Sequence, residues 1–360
     1  MPLDTYMKNL YLNIWEYKDN KYPFQIFTGA RGFGKTYSAL GGCLGIAEFC
    51  ERNEGEKFIL MRRTQDELES LSDGRSGEGV NPFKPLNKAY GRNVGIIPIK
   101  KKVHGIYNRE HCDDGTDKAS GAPIGYGVAL STIGTVRGVS LEDATDCIYD
   151  EFIPENHVRA MRDEFSAFAN AYETINRNRE IAGLPALRMW LLSNANRIDN
   201  EIFTGLGIVS DVEKMINSGK EHKYYPSRGL AVHIMPPSPQ FLKEKQQTAL
   251  YKLTAGTKFY DMALNNEFAF DDFSCVGHLN LRGYIPFCAL DNAYIYQKKG
   301  AREFYVTYAP CKCPHFDSSI KADVACFQRE YGVLLHDPYI YGCITFESYA
   351  LKALLSELIL

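Results

Sequence analysis

Residues 27–40 of the chain read FTGARGFGKTYSAL, and this stretch decides the fold. The apolar residues before Gly29 are typical of the end of a buried strand, and the residues from Lys35 onward favour a helix. Between them, Gly29 to Thr36 match the pattern G-x-x-x-x-G-K-[ST] at every position. A glycine turn with a surface lysine is the alternative, but the flanking strand and helix are what a phosphate-binding loop requires. The sequence therefore predicts a nucleotide site at this turn.

The loop supplies the groups that a nucleoside triphosphate and its magnesium ion need. Glycines let backbone N–H groups turn toward the phosphates. Lys35 is expected to reach the β- and γ-phosphate oxygens, and Thr36 to ligate Mg²⁺. The predicted nucleotide-binding residues of the loop are Gly29, Arg31, Gly32, Gly34, Lys35 and Thr36. The predicted cofactors are therefore ATP and Mg²⁺.

A second acidic site is expected at the end of another buried strand, and DCIYDEF (residues 146–152) supplies it. Asp150 is predicted to complete the Mg²⁺ shell, and Glu151 to orient or deprotonate a water near the γ-phosphate. An ordinary acidic pair at a strand end is the alternative. Because a kinase-like transferase has less need of the second carboxylate, the pair favours an ATPase.

Asn194 follows a further apolar run and is expected on the same sheet edge as the nucleotide. Its side chain is a candidate sensor of the γ-phosphate, and an Asn that caps the next turn is the open alternative. Tyr17 and Tyr22, upstream of the first strand, are candidates for stacking on the base.

Charge on the leaving phosphates calls for an arginine. The candidates are Arg31 inside the loop, Arg137, and Arg177 or Arg179 in NRNRE. For each one singly, a solvated helix-face arginine remains the alternative.

Apolar runs and helical stretches alternate, which predicts a mostly parallel α/β sheet covered on both faces. The predicted strands are 24–28, 57–62, 126–132, 145–150 and 188–193, and the predicted helices are 35–50, 65–71 and 158–176. Residues 72–82 and 109–123 are predicted to be surface loops. The lysine-bearing stretch 95–109 between them is expected to form a β-hairpin.

Length and composition limit the number of domains and the classes of function that this chain can have. A chain of 360 residues with 45% apolar residues has material for two packed domains. We place an ATPase domain at 1–205, a linker at 206–270, and a second domain with aromatic-rich strands and a terminal helix at 271–360. A net charge of −3 excludes a broadly basic nucleic-acid binder, and no apolar run is long enough to span a bilayer. The ten cysteines are expected to be free thiols, and the CKCPH motif (311–315) is a weak zinc candidate.

The segments around the loop, together with KFILMRR, DCIYDEF, NRNRE and LLSNA in that order, resemble the DNA-packaging ATPases of phi29-like tailed bacteriophages, which are terminase-like motors. The later stretch GTKFYDMALNNEF (256–268) resembles the segment that joins the two domains in that family. The resemblance implies a P-loop NTPase of the additional-strand type, followed by a linker and a smaller α+β RNase H-like domain.

The resemblance also implies partners and roles. It implies a homo-oligomeric ring, commonly a pentamer, that acts in the host cytoplasm, sits transiently at the procapsid portal and is absent from the mature virion. The expected partners are sequence-independent double-stranded DNA, the portal protein, and an RNA or protein adaptor. Arg177 matches the arginine offered to a neighbouring subunit, and Arg137 a basic residue near the subunit interface. Since the second domain shows no converging carboxylates, we expect no nuclease activity.

The residues that contact DNA are the hardest to predict from this sequence. Lys100, Lys101 and Lys102 near the hairpin tip are the first candidates, with a solvated hairpin end as the alternative. A helicase or other DNA-translocating ATPase, and a nucleotide-gated portal assembly factor with little turnover, are the competing functions. A strand-displacement assay separates the helicase from the packaging motor. Replacing Glu151 with Gln, which should abolish hydrolysis and leave ATP binding intact, discriminates the assembly factor.

Overall fold

The computed structural model describes residues 11–41, 56–72, 80–100, 102–112, 117–135, 141–154, 161, 163–194, 197–257, 260, 264 and 273–359. The chain divides into two compact units. The first comprises Met1–Arg197 and Met215–Ala269, and the second comprises Ile198–Lys214 and Phe270–Leu360. This division differs from the predicted one, because most of the expected linker belongs to the first unit while 198–214 joins the second.

The first unit contains a nine-stranded sheet. Its strands are β1 (Phe24–Gly29), β2 (Lys57–Arg62), β3 (Val94–Lys100), β4 (Val103–His111), β5 (Asp117–Ala129), β6 (Ala144–Asp150), β7 (Arg188–Asn194), β8 (His222–Tyr225) and β9 (Leu230–Met235). Their order across the sheet is β3-β4-β5-β2-β6-β7-β1-β9-β8. The six strands from β5 to β9 in this order run parallel, so the mostly parallel sheet is confirmed.

The register of the central strands sets the position of the site. Strand β7 lies between β1 and β6. It is the inserted strand that characterises P-loop NTPases of the additional-strand type. Gly29 at the end of β1 pairs with Asn194 at the end of β7, and Asp150 at the end of β6 pairs with Leu192. Because parallel strands end at the same edge of the sheet, Gly29, Asn194 and Asp150 lie close together at that edge.

Helices connect the strands. In the first unit they are α1 (Lys35–Ala39), α2 (Gln65–Leu71), α3 (Lys84–Tyr90), α4 (Leu130–Ile133) and α5 (Glu164–Asn176). Later in the chain follow α6 (Glu201–Gly205), α7 (Val209–Ser218), α8 (Pro239–Gln246) and α9 (Ala249–Leu253). The helix predicted at 65–71 is confirmed. Only part of those predicted at 35–50 and 158–176 lies within the described residues.

Two sequence predictions fail around β5. The predicted strand 126–132 ends at Ala129, and α4 begins at Leu130. The loop predicted at 109–123 is largely strand, because β4 runs to His111 and β5 starts at Asp117, with Glu110 paired to Lys118. Cross-strand pairing overrides the turn-forming composition of this stretch, and the predicted hairpin formed by β3 and β4 is confirmed.

A buried ionic cluster fixes α5 to the sheet. Arg63 and Glu164 are almost fully buried and form a two-pronged pair, with Nε–Oε1 and Nη2–Oε2 distances of 2.9 Å. The Tyr149 hydroxyl donates to the same carboxylate at 2.7 Å. Since Arg63 directly follows β2, Glu164 lies in α5 and Tyr149 lies in β6, the cluster ties helix to sheet below the site.

The second unit has a five-stranded sheet in the order β13-β10-β11-β12-β14. Its strands are β10 (Tyr284–Leu290), β11 (Ala293–Lys298), β12 (Phe304–Thr307), β13 (His315–Phe316) and β14 (Ile344–Phe346). Its later helices are α10 (Lys321–Phe327), a π-helical turn (Gln328–Gly332), α11 (Val333–Ile340) and α12 (Tyr349–Ile359). The aromatic-rich strands and the terminal helix predicted here are confirmed. No helix within the described residues is long and apolar enough to cross a membrane.

Candidate nucleotide site

The phosphate-binding loop joins β1 to α1 and depends on its glycines. Gly32 and Gly34 adopt positive φ angles of 76° and 86°. A Cβ on Gly34 would lie 2.8 Å from the Tyr11 ring, and one on Gly29 would lie 3.0 Å from the Met235 carbonyl oxygen. The loop therefore has the close backbone curvature that the sequence pattern predicts.

Lys35 lies in the hollow of the loop. Its Nζ donates to the carbonyl oxygens of Gly29 at 3.0 Å and Ala30 at 2.9 Å, and to Asn194 Oδ1 at 3.3 Å. The side chain is buried, and burial lowers the pKa of the amine to about 8, although Asp150 and Glu151 act in the opposite direction. Phosphate oxygens are stronger acceptors for a charged amine than these carbonyls, so the group is suited to an anion.

Thr36 and Asp150 form the oxygen pair that a magnesium site needs. Thr36 Oγ1 donates to Asp150 Oδ1 at 2.8 Å, across 114 positions of sequence. Burial raises the pKa of Asp150, while Arg62 lowers it. A hydroxyl and a carboxylate beside the lysine of the loop are the donors that Mg²⁺ prefers, so the residues present fit Mg-ATP.

The role of Arg62 was not predicted from the sequence. Its guanidinium forms ion pairs with both acidic residues. Its Nη1 lies 2.7 Å from Asp150 Oδ2 and its Nη2 lies 2.6 Å from Glu151 Oε2. Glu151 has a positive φ of 56°, which is unusual for a residue with a side chain. The available signal was the arginine at the end of KFILMR, because β2 pairs with β6 and so finishes beside Asp150.

A cavity of about 490 Å³ opens beside the loop. The loop, Glu151 and Asn194 form one part of its wall, and Tyr11, Tyr37, Pro85 and Ala89 form an aromatic and apolar part. Its volume lies in the range of small-molecule sites.

The proposed base-stacking tyrosines lie elsewhere. Tyr17 packs on Phe27 and His233, and Tyr22 packs on Tyr224. Neither lines the cavity, which has Tyr11 and Tyr37 instead. The chain before β1 thus packs both tyrosines against side chains of the sheet and away from this cavity.

The candidate arginines occupy different settings. Arg31 lines the cavity. Arg177 directly follows α5 with a φ of 48°, is half exposed and pairs with Glu142. Arg179 instead donates to the backbone carbonyls of Glu142, Ala144 and Pro185, which is a structural role. Arg137 lies outside the described residues.

The two described lysines of the hairpin have different surroundings. Lys100 is exposed at the end of β3, and Lys102 has a φ of 78° and donates to Thr135 Oγ1 at 3.0 Å. Lys101 lies outside the described residues. Of the two described lysines, Lys100 is therefore the more accessible to a partner.

The motifs of the second unit bring fewer groups together. The Sγ atoms of Cys311 and Cys313 are 3.6 Å apart. Asp323 Oδ2 accepts from the Asp317 backbone N–H at 3.1 Å. Within the part of the chain that the structure describes, no three His, Cys, Asp or Glu side chains are placed to hold a metal ion, and the cysteines there are free thiols.

Comparison with known proteins gives related sequences. Residues 117–284 match the family described as Podovirus DNA encapsidation protein (Gp16). A DNA packaging protein of Bacillus phage B103 is 30% identical over 244 residues, which are 68% of this chain and 63% of that protein. The corresponding protein of Bacillus phage phi29 is 27% identical over 68% of this chain and 61% of its own length. The chain thus spans less than two thirds of these relatives.

The fold has a counterpart over nearly the full chain. A structure of the bacteriophage Phi-29 viral genome packaging motor assembly superposes with a TM-score of 0.65 at 20% identity, covering 97% of this chain and 98% of that one. A second structure, of the Phi-28 gp11 DNA packaging motor, gives 0.61 at 18% identity. These likenesses establish a shared fold, and with the sequence matches they confirm the resemblance to phi29-like packaging proteins.

Proposed function

Starting from its kinship with the DNA packaging proteins of phi29-like phages, we propose that this chain is a genome-packaging ATPase that couples Mg-ATP hydrolysis to movement of double-stranded DNA. The observation that carries the proposal is the hydrogen bond between Thr36 and Asp150, with the Lys35 amine and Glu151 beside it. Lys35 holds phosphate oxygens, and Thr36 and Asp150 hold Mg²⁺. The bound ion supplies positive charge to the phosphates during cleavage.

Glu151 is the group we assign to the attacking water. Its carboxylate is 55% exposed and reaches the cavity, so water has access to it. While Arg62 holds Oε2 at 2.6 Å, that oxygen is engaged and is a poor proton acceptor. Release of Glu151 from Arg62 is therefore part of the proposed cycle, and Asn194 beside Lys35 is placed to respond to phosphate.

A neighbouring subunit completes the site in this proposal. Arg177 is exposed enough to leave Glu142, and the segment after it presents Ile181 at 85% and Leu184 at 52% exposure. An arginine beside exposed apolar side chains suits contact with a second copy of the chain. We accordingly propose a homo-oligomeric ring in which Arg177 acts in trans, with Arg137 as the second candidate.

The remaining assignments follow from the family. We propose that the ring, of five subunits, works in the host cytoplasm at the procapsid portal, with or without an RNA or protein adaptor, and is absent from the mature virion. Contacts of Lys100, Lys101 and Lys102 with DNA phosphates would make translocation independent of sequence. No nuclease activity is expected of the second unit.

DNA-stimulated ATPase activity, measured across protein concentration, tests this function. Specific activity should rise with concentration, since sites are completed by neighbours. Mixing Arg177→Ala subunits into wild type should lower activity more than in proportion, and Glu151→Gln should abolish turnover while Mg-ATP still binds. Failure of the purified chain to bind Mg-ATP would overturn the proposal. Binding with negligible turnover in the presence of portal and duplex would favour a nucleotide-gated assembly factor instead.

A further inference from the structure

Helix α8 packs directly on the phosphate-binding loop. Ser238 caps the helix by accepting from the Phe241 N–H at 3.2 Å, and Pro239 occupies the first turn. The Phe241 ring is buried and lies edge-on to Phe33 of the loop, with ring centroids 5.4 Å apart. It also contacts Tyr11 at 6.3 Å. One face of α8 is thus fixed against the loop.

Lys245 extends from the same face, one helical turn after Phe241. Its Nζ lies 2.8 Å from the position that a Cβ on Gly32 would occupy, so the absent side chain of Gly32 leaves room for the ammonium. Two aromatic rings flank the charge, with Phe241 at 5.7 Å and Tyr251 at 5.3 Å from the nitrogen. Cation–π contacts of this kind hold an ammonium in place without neutralising it.

The charge of Lys245 has no acidic counterpart in the part of the chain that the structure describes. Among the described residues, no carboxylate forms an ion pair with its ammonium. Arg31, on the same rim of the loop, lies close enough to Tyr251 to lower the pKa of its hydroxyl, against the larger effect of burial. The Lys245 ammonium therefore lies against the Gly32 segment of the loop, where it would attract an anion held by that segment.

We propose that Lys245 is a phosphate-contacting residue of the nucleotide site, supplied from outside the loop, and that it links nucleotide occupancy to helices α8 and α9. The inference rests on the proposed function, because it takes the anion to be the β- or γ-phosphate cradled by the loop. A purely structural lysine, held by its two rings, is the alternative that the experiment must exclude.

The experiment uses the full chain and two independent readouts. Affinities for Mg-ATP, Mg-ADP and AMP are measured by calorimetry for wild type and for Lys245→Ala, Lys245→Arg and Lys243→Ala. Lys243 lies on the same helix, is exposed and serves as the matched control. In parallel, the rate of acylation of each lysine by an amine-reactive ester is followed by mass spectrometry with and without Mg-ATP.

We expect Lys245→Ala to weaken Mg-ATP binding about tenfold, the loss of one charge-assisted hydrogen bond. AMP affinity should not change, Lys245→Arg should retain most of the Mg-ATP affinity, and Lys243→Ala should match wild type. Mg-ATP should slow acylation of Lys245 but not of Lys243. A structural role would instead weaken all three nucleotides together or none.

The two proposals fail in different ways. If wild type binds Mg-ATP but Lys245→Ala binds it equally well, the role of Lys245 is overturned and the proposed function stands, whatever the acylation pattern. If wild type does not bind Mg-ATP at all, the proposed function is overturned, and the inference with it.

Discussion

Lys35 shows how burial sets the chemistry of a single side chain. Its amine is enclosed by the loop and contacts two carbonyl oxygens, so the charged form loses solvation, and its pKa falls from 10.5 to about 8. Anionic phosphates favour the charged form and would raise the pKa again. Nucleotide binding should therefore be coupled to uptake of a proton above about pH 8.

Mg-ATP affinity should accordingly decline as the pH rises above 8. Below that pH Lys35 is already protonated and binding needs no proton. Above it, affinity should fall by up to about tenfold for each pH unit. Titrations with a fluorescent ATP analogue between pH 6.5 and 9.5 would measure the slope. The Lys35→Arg variant stays charged and should bind less tightly but without this slope; equal slopes in the two proteins would contradict the assignment.

The second testable electrostatic effect is the neutralisation of Asp150 and Glu151 by Arg62. Removing it in Arg62→Ala leaves Asp150 buried beside Glu151 without its paired guanidinium, which should destabilise the fold by about 3 kcal/mol. Added Mg²⁺ should restore part of the loss, because it supplies positive charge at the same carboxylates. Urea unfolding with and without Mg²⁺ measures both effects. Adding Asp150→Asn to Arg62→Ala should remove the Mg²⁺ response, and persistence of that response would place the ion elsewhere.

Helix α5 illustrates how one element is positioned for function. The buried pair of Arg63 and Glu164 secures its first turn, and Arg177 follows its last turn. The backbone at Arg177 leaves the helix with φ 48° and ψ −127°, so the chain turns sharply where the arginine is presented. The geometry of the proposed trans contact thus depends on how firmly α5 is anchored.

Breaking the anchor of α5 should be costly. Glu164→Leu strands the buried Arg63 guanidinium and is expected to lower the free energy of unfolding by about 3–5 kcal/mol. The double variant Arg63→Met with Glu164→Leu should lose less than either single variant, since no buried charge is left unpaired. Tyr149→Phe should cost about 1.5–3 kcal/mol, the value of one hydrogen bond to a charged group. Urea denaturation of the wild type, the two single variants, the double variant and Tyr149→Phe gives these differences, and strict additivity of the two single losses would refute the pairing.

At the scale of the whole molecule, the chain has two units with separate cores and little net charge. Each unit has its own sheet and its own buried cluster, for example around Leu290 and Leu355 in the second. Because 41 basic and 44 acidic residues nearly cancel, attraction to DNA cannot come from overall charge. DNA must therefore be bound by local groups, such as the hairpin lysines.

The salt dependence of duplex binding should show whether the hairpin lysines contact DNA phosphates. If Lys100 and Lys102 each neutralise one phosphate, then replacing both with Ala should reduce the slope of log affinity against log salt by about 2. Duplex binding at several salt concentrations measures the slope. Exposed Lys220 and Lys252 provide the matched control pair, whose replacement should leave the slope as in wild type. An unchanged slope in the hairpin variant would exclude these lysines as phosphate contacts.

Local sequence alone determined the loop, the two acids and most strands. The pattern from Gly29 to Thr36 is contiguous, and its glycines are needed wherever the backbone takes positive φ. Asp150 and Glu151 end an apolar run, so their place at a sheet edge followed from strand length. Such features are predictable because the residues that cause them are neighbours in the chain.

Only the tertiary structure decided which distant groups join them. Arg62 meets Asp150 across 88 positions because β2 pairs with β6, and Lys245 reaches Gly32 because Phe241 packs on Phe33. Residues 117–123, whose composition suggests a loop, became strand because β4 offered a pairing edge. Strand order, register and helix packing arise from the burial of the whole core, and no local pattern encodes them.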